Sequence, residues 1–250
     1  MALFPRLLVL AAMKEELDAV SAVLNEHPVQ AARVGRLLQI TVYTYTFGAR
    51  SLRIALSGMG PVNAALTLAT IAEHHDFDGV ILLGVGGALV SGLQVGHAVI
   101  SKRVLQHDSY SSLDSGDIRM AAGELILSEA EAVSHSPAIP ADPGLIELIS
   151  RSLPPGASSL GAIISGNEFV GTLARKQTLQ TLDSEAMLVD MEAAGVAQLS
   201  KRLGLPFVVV KTVADRLHAD GTIEADFRRC LASASSNAAR ILHRALTSPL

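Results

Sequence analysis

Apolar residues in this chain fall into short continuous runs, and amphipathic segments separate the runs. Leu7 to Ala11 is unbroken and aliphatic, the pattern of a strand covered on both faces. Lys14 to Leu24 then places Leu17, Val20, Val23 and Leu24 at helical spacing. Leu38 to Phe47 is rich in Thr, Tyr and Val with rough alternation, which predicts an antiparallel strand. Leu52 to Leu56 predicts another strand, and Pro61 stands where the following helix, Val62 to His74, begins. A buried strand is expected over Gly79 to Leu83, and a strand interrupted at Ser101-Lys102 over Val95 to Leu105. Gln106 to Glu124 is polar and Ser-rich and reads as a long loop, a length that in a compact chain points to function.

The second half continues the alternation. Leu145 to Leu153 reads as a helix stopped by Pro154-Pro155-Gly156, Leu160 to Ser165 as a strand, and Leu173 to Leu182 as a helix. Met187 to Val189 reads as a short strand, Met191 to Leu203 as a helix, Leu205 to Val213 as a buried strand, and Ile223 to Leu246 as a long final helix. Strands alternating with helices predict an α/β sheet covered by helices. No repeat or linker interrupts the pattern, so residues 1–250 are read as one domain.

Composition narrows the function. The charge is −4, with no run of Lys or Arg, which argues against nucleic-acid or anionic-membrane partners. Aromatics are only 4 % and Trp is absent, so a stacking platform for single strands is not expected. No apolar stretch approaches the ~20 residues of a membrane span, and the apolar start reads as a strand rather than a signal peptide. Cys230 is the sole cysteine, so a disulfide within the chain is impossible. That fits a reducing compartment, and a cytoplasmic protein is expected.

Candidate chemistry sits at strand ends. Gly58-x-Gly60 and Gly84-x-Gly86-Gly87 both follow predicted strands. Each is either a tight strand-to-loop turn or a place where backbone N–H groups approach a ligand. Neither completes a dinucleotide fingerprint, and a P-loop is absent. Asp190 and Glu192 open a helix, where carboxylates commonly serve the dipole alone, and Glu15 and Glu16 have the same reading. Asp215 differs, because it ends the most apolar strand, where α/β sheets bind ligands and burial raises a carboxyl pKa. His107-Asp108 reads as a surface turn, Cys230 as packed and inert, and no metal-binding pattern exists. No metal or other cofactor is therefore expected.

These segments, taken in order, resemble the purine nucleosidase/phosphorylase superfamily, and within it the 5′-methylthioadenosine/S-adenosylhomocysteine nucleosidases. Ala12-Met13-Lys14-Glu15-Glu16 is similar to A-M-x-E-E, and Ser57-Gly58-Met59-Gly60-Pro61-Val62-Asn63-Ala64-Ala65 to S-G-[IM]-G-x-V-N-A-A. Gly84 to Leu89 stands for G-S-A-G-G-L, and Ser165 to Phe169 for S-G-D-x-F. Val189 to Ala194 matches V-E-M-E-A-A, and Pro206 to Asp215 matches P-F-[VL]-[VA]-[VI]-R-x-[IV]-S-D.

The resemblance implies a mixed twisted central sheet flanked by helices, nucleoside phosphorylase-like, with the pocket at the strands' carboxyl ends. It implies hydrolysis of a purine nucleoside's N-glycosidic bond with release of adenine. Asp215 would be the general acid at purine N7 and Glu16 the base for water. Glu192 would hold the ribose hydroxyls, with Met191 beside the sugar. Phe169 would stack on the base and the Val170 backbone would read its edge. Met13, Val85 and Gly86 would line the site, and Lys211, where the family has Arg, would help place the water. Phe227 is a candidate for the 5′ pocket. The resemblance also implies a homodimer, with His107-Asp108 reaching the partner's site. The departures are Ala214 for Ser, Val85 for Ser and Asp190 for Glu. The alternatives are a phosphate-dependent phosphorylase, a sister nucleosidase such as a futalosine hydrolase, or a non-catalytic nucleoside binder.

Overall fold

The computed structural model describes residues 4–24, 28–120, 124–132, 136–215, 217 and 227–247, with Phe227 and Arg229 described by their backbone alone. In chain order, β1 (Arg6–Ala11) leads into α1 (Lys14–Leu24), and β2 (Gln30–Val34), β3 (Ile40–Phe47) and β4 (Arg50–Leu56) follow before α2 (Pro61–Ala72). Then come β5 (Gly79–Ala88), β6 (Ala98–Gln106), β7 (Tyr110–Leu113), β8 (Gly116–Arg119), α3 (Glu129–Ala132), β9 (Ala138–Pro140) and α4 (Pro143–Ser150). The chain ends with β10 (Ser158–Ser165), α5 (Leu173–Gln180), β11 (Ala186–Asp190), α6 (Ala193–Leu203), β12 (Phe207–Asp215) and α7 (Phe227–Thr247).

The main sheet runs β11-β10-β6-β12-β5-β1-β4-β3-β2, with β9 beside β6. It is mixed, as expected. β1, β5 and β12 are parallel neighbours, whereas β3 pairs antiparallel with both β4 and β2. The central strands β1, β5 and β12 are buried almost throughout, which is why they read as continuous apolar runs. Helices α1 and α7 pack together, as do α2 and α6, and α6 and α7 both rest on β5 and β12.

Local signals set the helix ends. Pro61 is the first residue of α2, behind Gly60 at φ 95°. The Asp142 carboxylate caps α4 by accepting from Leu145 N at 2.9 Å. Gly204 closes α6 in the left-handed conformation at φ 65°.

Several expectations need correction. The glycines of Gly84 to Gly87 are not a turn. They continue β5 to Ala88, because β12 pairs along them and β11 crosses antiparallel at Gly87 and Ala88. β6 runs through Ser101-Lys102 as one strand, but the expected irregularity is there: Gly161 pairs with Ser101 and Ala162 with Arg103, so Lys102 is an extra residue, while the Ser101 hydroxyl accepts from Val209 N at 2.9 Å. The segment Gln106 to Glu124 is not simply a loop, since β7 and β8 form a hairpin within it. Helix α6 starts at Ala193, leaving Met191 and Glu192 ahead of it. The sequence pattern also passed over β2, β9 and the short α3. Ile223 lies outside the described residues.

The α2–α6 contact is tight at one point. A Cβ on Gly195 would stand 2.0 Å from the Pro61 carbonyl oxygen, a backbone atom that cannot swing away. Gly→Ala inside a helix ordinarily gains ~1 kcal/mol. Here Gly195→Ala is expected to lose roughly 1–3 kcal/mol to overpacking, so urea unfolding that shows a gain would refute the contact.

Candidate active site

The parallel strands deliver their carboxyl ends to one place. There a pocket is lined by Ala12 and Met13 after β1, by Val85, Gly86 and Gly87 of β5, and by Asp215 of β12. Phe169 and Val170 after β10 complete it, together with Val189, Asp190, Met191 and Glu192 at the β11–α6 junction, and Glu16, Met59 and Glu168. Of the catalytic and substrate-binding residues expected from the sequence, Lys211 does not line this pocket, the Phe227 side chain lies outside the described residues, and the others line it.

Glu16 lies in the first turn of α1 and reaches back over it. Its Oε2 accepts from Ala12 N at 2.8 Å and Met13 N at 2.9 Å, the glutamate half of a capping box. Its Oε1 accepts from Val85 N at 2.9 Å. The three N–H donors suit an ionised carboxylate, which only accepts. Burial nevertheless pushes Glu16 above the ordinary glutamate range, against the pull of Lys211 and of these N–H groups.

Asp215 reaches the pocket through an irregularity. The β12–β5 ladder runs Val213↔Gly86 and then Asp215↔Gly87, so Ala214 is the extra residue of a bulge. Bulges beside sites re-aim a side chain, and here the Asp215 carboxyl comes to Ala88 N, 3.1 Å from Oδ1. The same oxygen accepts from Lys176 Nζ at 2.9 Å. Burial pushes Asp215 above the usual carboxylate range, while Lys176 and the Ala88 N–H draw it down.

The glycines of β5 are the condition for both contacts. A Cβ at Gly84 would stand 2.3 Å from Glu16 Oε1, and one at Gly87 2.7 Å from Asp215 Oδ1. The two anchoring N–H groups, at Val85 and Ala88, are three residues apart, at most ~10 Å of strand.

Glu192 and Asp190 have separate roles. Asp190 accepts from Ala193 N at 3.1–3.2 Å and so caps α6 from outside, which is the dipole role. Glu192 makes no cap bond. Its Oε1 accepts from Gly60 N at 3.0 Å, and its Oε2 takes Lys211 Nζ at 3.0 Å. Lys211 stands in the middle of β12, wholly buried, and also meets Asp190 Oδ2 at 3.1 Å. These acids hold its ammonium well above the ordinary lysine range. Lys211 backs the pocket and does not line it.

Phe169 is 64 % exposed, although it lies against the pocket, and Val170 is buried. Around Phe169, Glu168 receives Arg175 Nε at 2.9 and 3.0 Å and Arg175 Nη2 at 2.6 Å, tying the loop to α5. His107 is not on a surface turn. It is 2 % exposed, packed where a Cβ on Gly166 would stand 2.3 Å from its Nε2, and burial pulls its pKa down. Asp108 is exposed and accepts from Asn167 N at 2.8 Å. Cys230 is buried, and the Phe227 side chain lies outside the described residues.

The sequence reading missed Lys176, Glu168, Met59 and the N–H donors of Gly60, Val85 and Ala88. Lys176 carried a weak signal, since it shares a helical face with Leu179, the other buried residue of α5.

Comparison with known proteins decides the family. Residues 6–247 match the Phosphorylase superfamily. The chain belongs to that superfamily. Among relatives, a 5′-methylthioadenosine/S-adenosylhomocysteine nucleosidase of Staphylococcus aureus is 29 % identical over 244 residues, covering 97 % of this chain and 99 % of the relative. An S-adenosylhomocysteine nucleosidase of Streptococcus pyogenes, solved with 5-methylthiotubericidin, superposes with a TM-score of 0.80 at 27 % identity, over 100 % of this chain and 99 % of the other. A 5′-methylthioadenosine/S-adenosylhomocysteine nucleosidase of Neisseria meningitidis, solved with methylthio-immucillin-A, gives 0.79 at 27 %, over 98 % and 100 %. The futalosine hydrolase of Helicobacter pylori shares the fold, with 0.78 at 20 % identity over 96 % of this chain and 97 % of that one.

Within this superfamily member, Lys211 is the countercharge for two buried acids. Lys211→Met is expected to cost roughly 3–5 kcal/mol, because it leaves both acids without their cation in a dry site. Urea unfolding should show this loss, and a stability within 1 kcal/mol of the parent, roughly the scale of a surface change, would remove Lys211 from that role.

Proposed function

We propose that this protein hydrolyses the N-glycosidic bond of a purine nucleoside, with 5′-methylthioadenosine and S-adenosylhomocysteine as substrates and adenine as the released base. One observation carries the reading: two buried carboxylates, Glu16 and Asp215, hang from N–H groups of one glycine-rich strand in a single pocket. The names of the relatives support the choice of substrates.

In this reading the base enters against Phe169, and the Val170 backbone meets its edge. Glu192 takes the ribose hydroxyls, and Met191, Met13, Val85 and Gly86 enclose the sugar. Asp215 gives its proton to purine N7 as the C1′–N9 bond breaks, and the bonding pair passes into the purine ring. The ribosyl centre becomes cation-like among carboxylates, which stabilise developing positive charge. A water oxygen then bonds C1′ and its proton passes to Glu16. Lys211 holds Glu192 in place and acts on the water only through the field it casts across Glu16. Solvent afterwards removes the proton from Glu16 and restores that of Asp215.

Hydrolysis is favoured over phosphorolysis because, among the described residues, the pocket lining holds acids and apolar groups but no Lys or Arg. A phosphate nucleophile needs cationic donors around it. We also infer a homodimer. Met59, which lines the pocket, and Val62 and Leu66 on α2 are exposed apolar residues that a second copy would cover. A single cysteine suits work in the cytoplasm. Light scattering that finds only monomer at micromolar concentration would count against the dimer.

The deciding assay follows release of the free purine base, adenine from 5′-methylthioadenosine and S-adenosylhomocysteine and hypoxanthine from futalosine, each with and without phosphate. Release from the first two without phosphate is expected; strict phosphate dependence would make the enzyme a phosphorylase, and no release would make it a binder. Asp215→Asn should lose about 10²–10⁴-fold in kcat while still binding adenine, since asparagine donates to N7 but transfers no proton. Glu16→Gln should lose turnover and keep the base site. Near-normal turnover by Asp215→Asn would overturn the mechanism.

A further inference from the structure

Lys176 has no exposed surface and no part in the reaction as set out above. It stands on α5, where only it and Leu179 are buried. A lysine rarely gives up all its water without a partner. Its ammonium donates to the Ala88 carbonyl at 2.9 Å and to Asp215 Oδ1 at 2.9 Å. The Ala88 N–H donates to that same oxygen at 3.1 Å. One residue of β5 thus touches both members of the pair, its carbonyl on the lysine and its N–H on the acid.

Two donors converge on Oδ1, and one of them is charged. An oxygen so placed is the one that carries negative charge, so the acid's proton belongs on Oδ2. We propose that Lys176 is the positioning residue of the general acid, fixing Oδ1 so that Oδ2 presents the proton to purine N7 and stabilising the carboxylate left behind. The inference rests on the assignment of Asp215 as the acid.

The energetic logic is differential binding. Before transfer, the ammonium faces a neutral carboxyl and gains only a hydrogen bond. After transfer, it faces a carboxylate in a site closed to water, where charges interact strongly. An interaction that strengthens along the reaction lowers the barrier, whereas one of constant strength does not. The proton lost from Oδ2 goes to N7, the electron pair of C1′–N9 goes to the ring, and Lys176 keeps all its protons. It therefore acts through Asp215 and does not touch the substrate.

The pH profile gives a distinctive readout. Asp215 works only when protonated, so kcat/KM falls as pH rises through its pKa. Lys176 on α5 and the Ala88 N–H on β5 face this carboxyl and favour its ionised form. Glu16, Asp190, Glu192 and Glu168 line the same pocket, Lys211 stands behind Asp190 and Glu192, and Arg175 holds Glu168. None of these changes when Lys176 alone is replaced. Removing the ammonium leaves burial opposed by backbone N–H groups alone, so the alkaline limb moves to higher pH.

The experiment compares Lys176→Met and Lys176→Gln with the parent and with Asp215→Asn, following adenine release from 5′-methylthioadenosine across pH. Methionine keeps the bulk, and glutamine keeps a donor without the charge. Both variants are expected to move the alkaline limb of kcat/KM upward by about 1–3 pH units. Both should lose roughly tenfold or more in kcat on the acidic plateau, with adenine affinity little changed. If Lys176→Met does not fold, Lys176→Gln decides alone. A limb that stays in place in the folded variants, with Asp215→Asn inactive, overturns the role of Lys176 and leaves the reaction standing. An active Asp215→Asn overturns the reaction first.

Discussion

Carboxylates withdrawn from water must be met by cations or by aimed N–H groups, and the site of this protein is arranged around that need. Four acids, Glu16, Asp190, Glu192 and Asp215, are nearly or fully buried at the carboxyl ends of the central strands. Two lysines without exposed surface, Lys176 and Lys211, stand among them. Each acid also receives backbone N–H groups, from Ala12, Met13 and Val85, from Ala193, from Gly60 and from Ala88. For Glu16 those partners oppose the burial that would neutralise it, and for Asp215 they stabilise the carboxylate left once its proton is given up.

The demand reaches back into the fold. Backbone donors are available to side chains only where the strand itself leaves them free or where a helix begins. Here α1, α6 and the end of β5 all supply such groups at one place. The missing side chains of Gly84 and Gly87 let carboxylates come down onto β5, and the bulge at Ala214 turns Asp215 toward it. Parallel strands end together on one side of a sheet, so these groups gather without any long excursion of the chain.

How much of this was legible in the sequence depended on whether the cause was local. The runs of Leu7 to Ala11 and Phe207 to Val213 announced buried strands because both faces are covered, and α1 was delimited correctly from its own periodicity. Glu16, Glu192 and Asp215 were found through motifs in order, and the structure brings all three to one pocket. Gly84 to Gly87 looked like a turn because glycine ordinarily breaks strands, yet pairing from β12 and β11 held it extended. The hairpin of β7 and β8 hid in a Ser-rich stretch with no alternation of apolar residues. Lys176 sat in a segment, Leu-Ala-Arg-Lys-Gln-Thr-Leu-Gln, that was read only as a helix, with most of its side chains polar or charged and of the kind usually exposed. Its shared face with Leu179 was a weak hint, and the depth at which α5 lies, a tertiary property, is what reveals it.

The loop that carries Phe169 runs directly into the helix that carries Lys176, and the Glu168–Arg175 pair closes the span between them. Phe169 and the lysine that meets Asp215 therefore travel as one cassette, eight residues from end to end. Exchanging that cassette for another superfamily member's would change both at a stroke. Lengthening it would separate them. Change at the Phe169 end is thereby tied to the charge that meets Asp215, and the two cannot drift independently.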